Sequence, residues 1–295
     1  MGMSDSRPIG FFDSGVGGLT VLREAQRRLP GESTLYIGDS ARHPYGTRSD
    51  AEVLAFAVQL ADELVSRDVK AIVIACNTAT SVALAHLRQR HPTIPFIGVV
   101  RPGAAAAVLA TRTGRIGVLA TEATVRSGAY FAAIKDENPA VQVEARAASS
   151  LVPLIEAGDL TSDRLVDAVR RTLAELKERT TESKIDTLLL GCTHFPLIRH
   201  LIAAELGESV AVVDSAAAAA ATLQEVISVN HLDAPGSTRG TAADAGAEGH
   251  RSPPRTSVRP QHLLFTTGEV GGFSALADRL FGDRAMEATQ ISLNR

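Results

Sequence analysis

Two stretches of the chain echo each other: Lys70 is followed by AIVIA and then Cys76-Asn77-Thr78, and Asp186 by TLLLG and then Cys192-Thr193-His194. These are the only 2 cysteines in the sequence, and each closes a short apolar run that opens with a charged residue. Such a run reads as a buried strand, and open α/β sheets place their ligand crevices outside the carboxyl ends of strands. The hydroxyl and amide residues that follow can cap the next helix, so each sulfur is expected beside a positive helix N-terminus. That setting lowers a thiol pKa from about 8.5 toward the working pH. A lone cysteine at a strand end is more often a small buried hydrophobe; the matched placement of both points to chemistry. Inverting a Cα stereocentre requires a base on one face and an acid on the other, with roles exchanged between directions. One ionised and one protonated thiol, brought into one cleft by two related halves, meet that requirement.

Other residues can manage those protons. His194 is placed to hydrogen-bond Cys192, and Asp13, in the loop Asp13-Ser14-Gly15-Val16-Gly17-Gly18, can serve Cys76. A Cys-His pair for acyl transfer is a competing reading, and a zinc site built on the cysteines and His194 is a weaker one, because the spacing matches no zinc pattern. The glycines after Asp13 let backbone N–H groups approach an anion closely, yet a plain Gly-rich turn explains them equally well, and no Lys-Ser or Lys-Thr follows as in a P-loop. Gly38-Asp39 ends another strand, and Pro44-Tyr45-Gly46 reads as a rigid turn carrying an aromatic over a crevice mouth. His43, just before it, reads as an exposed loop histidine without a role.

The elements that position these residues alternate along the chain. Strands are predicted at Pro8–Phe12, Thr34–Ile37, Ala71–Ala75, Phe96–Val99, Arg115–Leu119, Val141–Ala145, Thr187–Leu190, Val210–Val213 and His262–Thr266. Between them, Asp50–Ser66, Thr78–Arg90, Ala123–Ile134, Ser162–Arg179 and Phe195–Ala204 carry apolar residues at helical spacing, and Gly272–Phe281 reads as a last helix. The pattern predicts an α/β fold with mainly parallel sheets flanked by helices. From Asp233 to Arg259 the composition shifts to Gly, Ala, Ser, Pro and charge, so a disordered insertion over 233–260 is expected.

Composition narrows the function classes. The 295 residues include 30 Lys plus Arg and 33 Asp plus Glu, a net charge of −3 with no basic stretch, which argues against nucleic acid as a partner. No apolar run approaches the about 20 residues of a membrane span and no signal sequence is recognisable, so a cytoplasmic protein without a membrane partner is expected, with its two cysteines as free thiols.

The motifs D-S-G-V-G-G, G-D-x-A-R-x-P-Y-G, A-C-N-T-A-T and G-C-T-H-F-P, in that order, resemble those of the aspartate/glutamate racemase family, in particular its glutamate racemases. The likeness runs from Ile9 to about Ser228 and resumes near Leu263. It implies two similar α/β domains, the first from residues 1–99 plus 210–295 and the second from 100–209, with the active site between them. It further implies cofactor-independent interconversion of L- and D-glutamate, supplying D-glutamate for peptidoglycan, with no metal and with a homodimer as the expected assembly. Cys76 would remove the α-proton of the D-enantiomer and Cys192 that of the L-enantiomer, assisted by Asp13, His194, Asp39 and Glu156. Asp13, Ser14, Asn77, Thr78, Thr193 and His194 would hold the amino and carboxylate groups, and Pro44, Tyr45, Gly46, Thr121 and Thr124 would meet the side-chain end. Aspartate or hydantoin racemases of the same family, or a non-catalytic amino-acid-binding protein, are the alternatives. Arg101 stands where many relatives have Glu before Pro-Gly, which bears on oligomer contacts rather than on the reaction.

Overall fold

Unbroken apolar runs need cover on both faces, and the chain provides it by winding helices around two parallel sheets. In the computed structural model, which describes residues 4–158, 160–183, 185–235, 259–282 and 286–293, the first sheet contains β1 (Ile9–Asp13), β2 (Thr34–Gly38), β3 (Ala71–Ile74), β4 (Phe96–Gly98), β9 (His262–Thr266) and β10 (Ala288–Gln290), in the order β10-β9-β2-β1-β3-β4. The second contains β5 (Arg115–Ala120), β6 (Gln142–Ala147), β7 (Thr187–Gly191) and β8 (Ala211–Asp214), in the order β6-β5-β7-β8. Every pairing among the described residues is parallel. The fold is α/β, with two parallel sheets flanked by helices.

Strand periodicity sorts the side chains between two cores per sheet. In β1, Ile9 and Phe11 face α1 (Leu19–Arg28), α10 (Ala216–Val229) and α11 (Val270–Phe281), while Phe12 faces α2 (Asp50–Ser66) and α3 (Asn77–Arg90). In β7, Leu188 and Leu190 face α7 (Leu151–Glu156), α8 (Asp163–Ser183) and α9 (Arg199–Leu206), while Leu189 faces α4 (Val100–Ala110) and α6 (Ala129–Glu137).

Strand order reverses at equivalent points in the two sheets. In the first, the chain moves from β1 outward to β2 on one side and to β3 on the other; in the second, β5 has β6 on one side and β7 on the other. Such switch points open crevices at the carboxyl strand ends. Asp13 ends β1 and Cys76 follows β3; Thr121 follows β5 and Cys192 follows β7.

Several expectations need adjusting. Strand β8 pairs with β7 from Thr187↔Ala211 to Leu190↔Asp214, so the chain leaves the second sheet after Asp214 rather than at residue 209. Helix α10 then packs on α1 of the first half through Ala216, Ala219, Leu223 and Ile227. The single helix expected over Ala123–Ile134 is two, α5 (Glu122–Arg126) and α6, because Gly128 takes the left-handed conformation at φ +67°. Phe195–Ala204 starts as a short 3-10 helix, Phe195–Ile198, before α9. The expected insertion lies almost wholly outside the described residues; its first part is anchored, with Asp5 N–H donating to Asp233 O and Ala234 N–H to Glu32 Oε1.

Candidate active site

The carboxyl ends of both sheets meet at a small cavity lined by Ser14, His43, Pro44, Tyr45, Gly46 and Thr47, by Cys76, Asn77 and Thr78, and by Thr121, Ser149, Val152, Cys192, Thr193 and His194. Both cysteines are free and buried, one arriving from each sheet. The free interior is about 20 Å³, room for about one water. A larger groove of about 980 Å³ runs between α3, α4, α6 and α10, and neither cysteine lines it.

Cys76 is the N-cap of α3. The sulfur itself, rather than Asn77 or Thr78, accepts the N–H of Ala79 at 3.5 Å, and its own proton is directed at Ser14 Oγ, 3.8 Å away. Contrary to expectation, the helix terminus does not make this thiol acidic: burial, followed by the charge of Asp13, pushes its pKa well above the usual thiol value, and the hydrogen bonds only partly oppose them. Asp13 is fully buried; its Oδ2 accepts Gly18 N–H at 2.7 Å, and its Oδ1 has no hydrogen-bond partner among the described residues. A buried carboxylate oxygen left open beside the thiol is suited to a cationic donor such as an α-ammonium group.

Cys192 is built differently. Its sulfur caps no α-helix; a short 3-10 helix starts three residues on, at Phe195, whose N–H donates to Cys192 O. Instead His194 Nδ1 stands 3.7 Å from Cys192 Sγ, and His194 Nε2 stands 2.7 Å from Glu156 Oε1. Burial alone would lower the His194 pKa, but the hydrogen bonds to Cys192 and Glu156 outweigh it and hold the value well above the ordinary imidazole range. Burial would likewise raise Glu156, yet hydrogen bonds from His194 and His43 bring it down to about 2. An imidazolium is thus held between a carboxylate and a sulfur.

Three threonine hydroxyls join the halves beside the cavity. Thr78, Thr121 and Thr124 form a closed triangle of hydroxyls at 2.9, 3.1 and 3.0 Å, joining the first turn of α3 to the loop after β5. Asn77 Oδ1 accepts Tyr130 O–H at 2.5 Å, and its buried Nδ2 has no partner among the described residues. At the N-terminus of α3 the free backbone N–H groups and Asn77 Nδ2 can satisfy a carboxylate.

Two expected assignments change. Asp39 touches neither sulfur: Oδ2 takes the Tyr45 hydroxyl and Arg42 Nε–H, the latter at 2.7 Å, and Oδ1 takes the Thr267 hydroxyl at 2.7 Å. It fixes the tyrosine turn from behind. His43, read as an exposed loop residue, lines the cavity, with its side chain 12% exposed and Nδ1 3.0 Å from Glu156 Oε2. Its partner is distant in sequence, and only the neighbouring Pro-Tyr-Gly turn placed it near the mouth. Thr47, Ser149 and Val152, also in the lining, carry no signal in the sequence.

His43, Glu156 and His194 offer ligand atoms within 4.8 Å of one another, a different trio from the cysteine-based one considered above. Two ligands about 2.0 Å from one tetrahedral zinc stand about 3.3 Å apart. The 2.7 and 3.0 Å separations here are those of shared protons.

Comparison with known proteins agrees with this arrangement. The family model for Asp/Glu/hydantoin racemases matches residues 19–223. Glutamate racemase of Geobacter metallireducens is 41% identical, with 97% of each chain covered, and that of Levilactobacillus brevis is 44% identical, covering 97% of this chain and 95% of the relative. Among solved structures, glutamate racemase isoform RacE1 from Bacillus anthracis superposes with a TM-score of 0.85 at 36% identity, covering 97% of this chain and 98% of that one. Glutamate racemase from Francisella tularensis in complex with D-glutamate does so at 0.83 and 30%, covering 98% and 99%. A cavity walled by two thiols with separate proton partners, on this fold and at these identities, leaves one assignment: the chain belongs to the Asp/Glu/hydantoin racemase family and is an isomerase of amino acids.

Proposed function

We propose that the cavity interconverts L- and D-glutamate by two-base proton transfer, without a cofactor. The observation that carries the reading is the entry of two thiols into one cavity from the two halves of the molecule, each with its own partner: Asp13 and Ser14 by Cys76, His194 and Glu156 by Cys192. Glutamate is favoured over aspartate or a hydantoin by the 41–44% identical relatives, which are glutamate racemases.

Asp13 Oδ1 takes the ammonium group, and the N-terminus of α3 with Asn77, Thr78 and Thr193 takes the α-carboxylate. Tyr45, Gly46, Thr121 and Thr124 face the side-chain end. From L-glutamate, the Cys192 sulfur beside the His194 cation accepts the α-proton. The Cys76 thiol, kept protonated by burial, delivers its proton to the other face of the carbanion. D-glutamate leaves with Cys192 protonated and Cys76 ionised, and proton exchange with solvent resets the pair. The reverse direction begins at Cys76. We further read residues 1–99 and the chain after Asp214 as one domain and 100–214 as the other, acting as a homodimer in the cytoplasm to supply D-glutamate for peptidoglycan.

Incubation with either enantiomer in D₂O tests the reading. Product carrying α-deuterium, and loss of racemisation in both Cys76→Ser and Cys192→Ser, is the expected result. Racemisation at the wild-type rate by the double variant, or a thioester trapped on Cys192 without α-exchange, would overturn it.

A further inference from the structure

Glu156 closes α7 with its side chain 24% exposed, so packing alone does not hold its carboxylate in place. Donors do. Oε1 takes His194 Nε2 at 2.7 Å, and Oε2 takes His43 Nδ1 at 3.0 Å. The two rings stand 5.8 Å apart with the carboxylate shared between them, and a Cβ added at Gly15 would meet Glu156 Oε1 at 2.9 Å and His43 Cδ2 at 3.4 Å, so backbone closes a third side.

We propose that His43 is a positioning residue for the Cys192 half-reaction. By occupying one oxygen of Glu156, it fixes the carboxylate that fixes the His194 ring against the sulfur. The inference deepens the two-thiol reading above and rests on it. With both carboxylate oxygens engaged, the proton on His194 Nε2 is pinned, so Nδ1 is the nitrogen that always faces Cys192. Without His43, Oε2 is left to solvent and the carboxylate can swing away from His194. His43 comes from the loop after β2 in the first half, whereas Glu156 and His194 come from the second. The chain of contacts is therefore complete only with the halves together, which ties arming of Cys192 to closure of the cleft.

The test compares His43→Phe, which keeps an aromatic ring and loses the donor, with His43→Asn, whose amide N–H stands where Nδ1 does. H43F is expected to lower kcat/KM about tenfold or more, the scale of one charge-assisted hydrogen bond. The loss must be equal for the two enantiomers, because the equilibrium between mirror images fixes the ratio of their kcat/KM values. The discriminating readout is the primary isotope effect. With α-deuterated L-glutamate it reports the Cys192 step and is expected to rise in H43F; with α-deuterated D-glutamate it reports the Cys76 step and is expected to fall. H43N should return both toward wild type. If H43F keeps kcat/KM within twofold, or loses activity with both isotope effects unchanged, His43 does not position Cys192. Should H43F not fold, His43→Leu is measured the same way. Absence of α-exchange in the wild-type protein would instead sink the two-thiol reading itself, so the two failures are distinct.

Discussion

At the Cys76 sulfur, burial and the neighbouring Asp13 charge keep the proton on, while the Cys192 sulfur faces an imidazolium anchored by Glu156. The asymmetry sets what Glu156→Gln should do. The carboxylate raises His194, so its removal lets the ring lose its proton at lower pH, and the alkaline limb of the kcat/KM profile is expected to move acidward; an unmoved limb would separate His194 from that limb. Stability gives the converse sign. Glu156 is lowered from its ordinary 4.5 to about 2, so its contribution is present above about pH 4.5 and lost as pH falls toward 2. The stability gap between wild type and E156Q, read from urea midpoints, should therefore shrink across that interval. Residue-scale features of this kind were unevenly visible in the sequence. The thiols stood out because the chain has only two cysteines, in matched positions. Asp39 lay in a recognisable motif, yet its role depends on Tyr45, Arg42 and Thr267 converging on it. His43 depends on a carboxylate brought up by another sheet, which no local pattern encodes.

Elements bring these groups together through close backbone approaches, and glycines mark where. A Cβ on Gly17, in the turn between β1 and α1, would fall 2.7 Å from both His194 Nδ1 and Thr193 Oγ1. Gly17→Ala should therefore cost at least tenfold in kcat/KM, since a methyl there displaces the ring that faces Cys192, while circular dichroism stays native; unchanged kinetics would show that the two loops yield freely. Gly128 differs in kind. Among the described residues nothing lies within 4 Å of its added Cβ, but φ is +67°, so Gly128→Ala should cost about 1 kcal/mol through the backbone alone, visible in the urea midpoint and with racemisation intact. This break was invisible to helical periodicity, which runs through Ala123–Ile134 without a gap. Buried parallel strands were easier to find, because β1, β2, β3 and β7 are buried throughout and apolar but for one terminal residue in three of them. β10 escaped notice: Ala288–Gln290 is short, polar and at a sheet edge, so nothing in its composition distinguishes it from a loop.

For the whole molecule, the decisive quantity is the space left between the halves. About 20 Å³ of free interior accommodates about one water, far less than an amino acid with a side-chain carboxylate. The halves are therefore expected to part as substrate enters and to close again for chemistry. The contacts that must break join them directly: the Thr78, Thr121 and Thr124 hydroxyls, Tyr130 to Asn77, Gly17 against the loop after β7, His43 to Glu156, and the exposed Arg126–Asp50 pair at 3.0 Å. The strands beneath are packed in separate cores on each sheet and need not move. Opening of this kind belongs to the low-stability end of native fluctuations. Amide hydrogen exchange should then show a local response to saturating D-glutamate, with protection gained in peptides covering 13–18, 43–47, 76–80, 121–126 and 192–195. At exchange times too short for global unfolding, the interiors of β1, β3, β5 and β7 should show no exchange with or without ligand, so the difference is confined to the loops. Ligand is expected to slow exchange at the strand-end loops by stabilising the closed form in proportion to its occupancy. Protection gained in the sheets at long exchange times follows from stabilisation of the folded state and does not bear on closure, whereas loops that exchange equally fast at short times with and without ligand would rule out closure over the substrate.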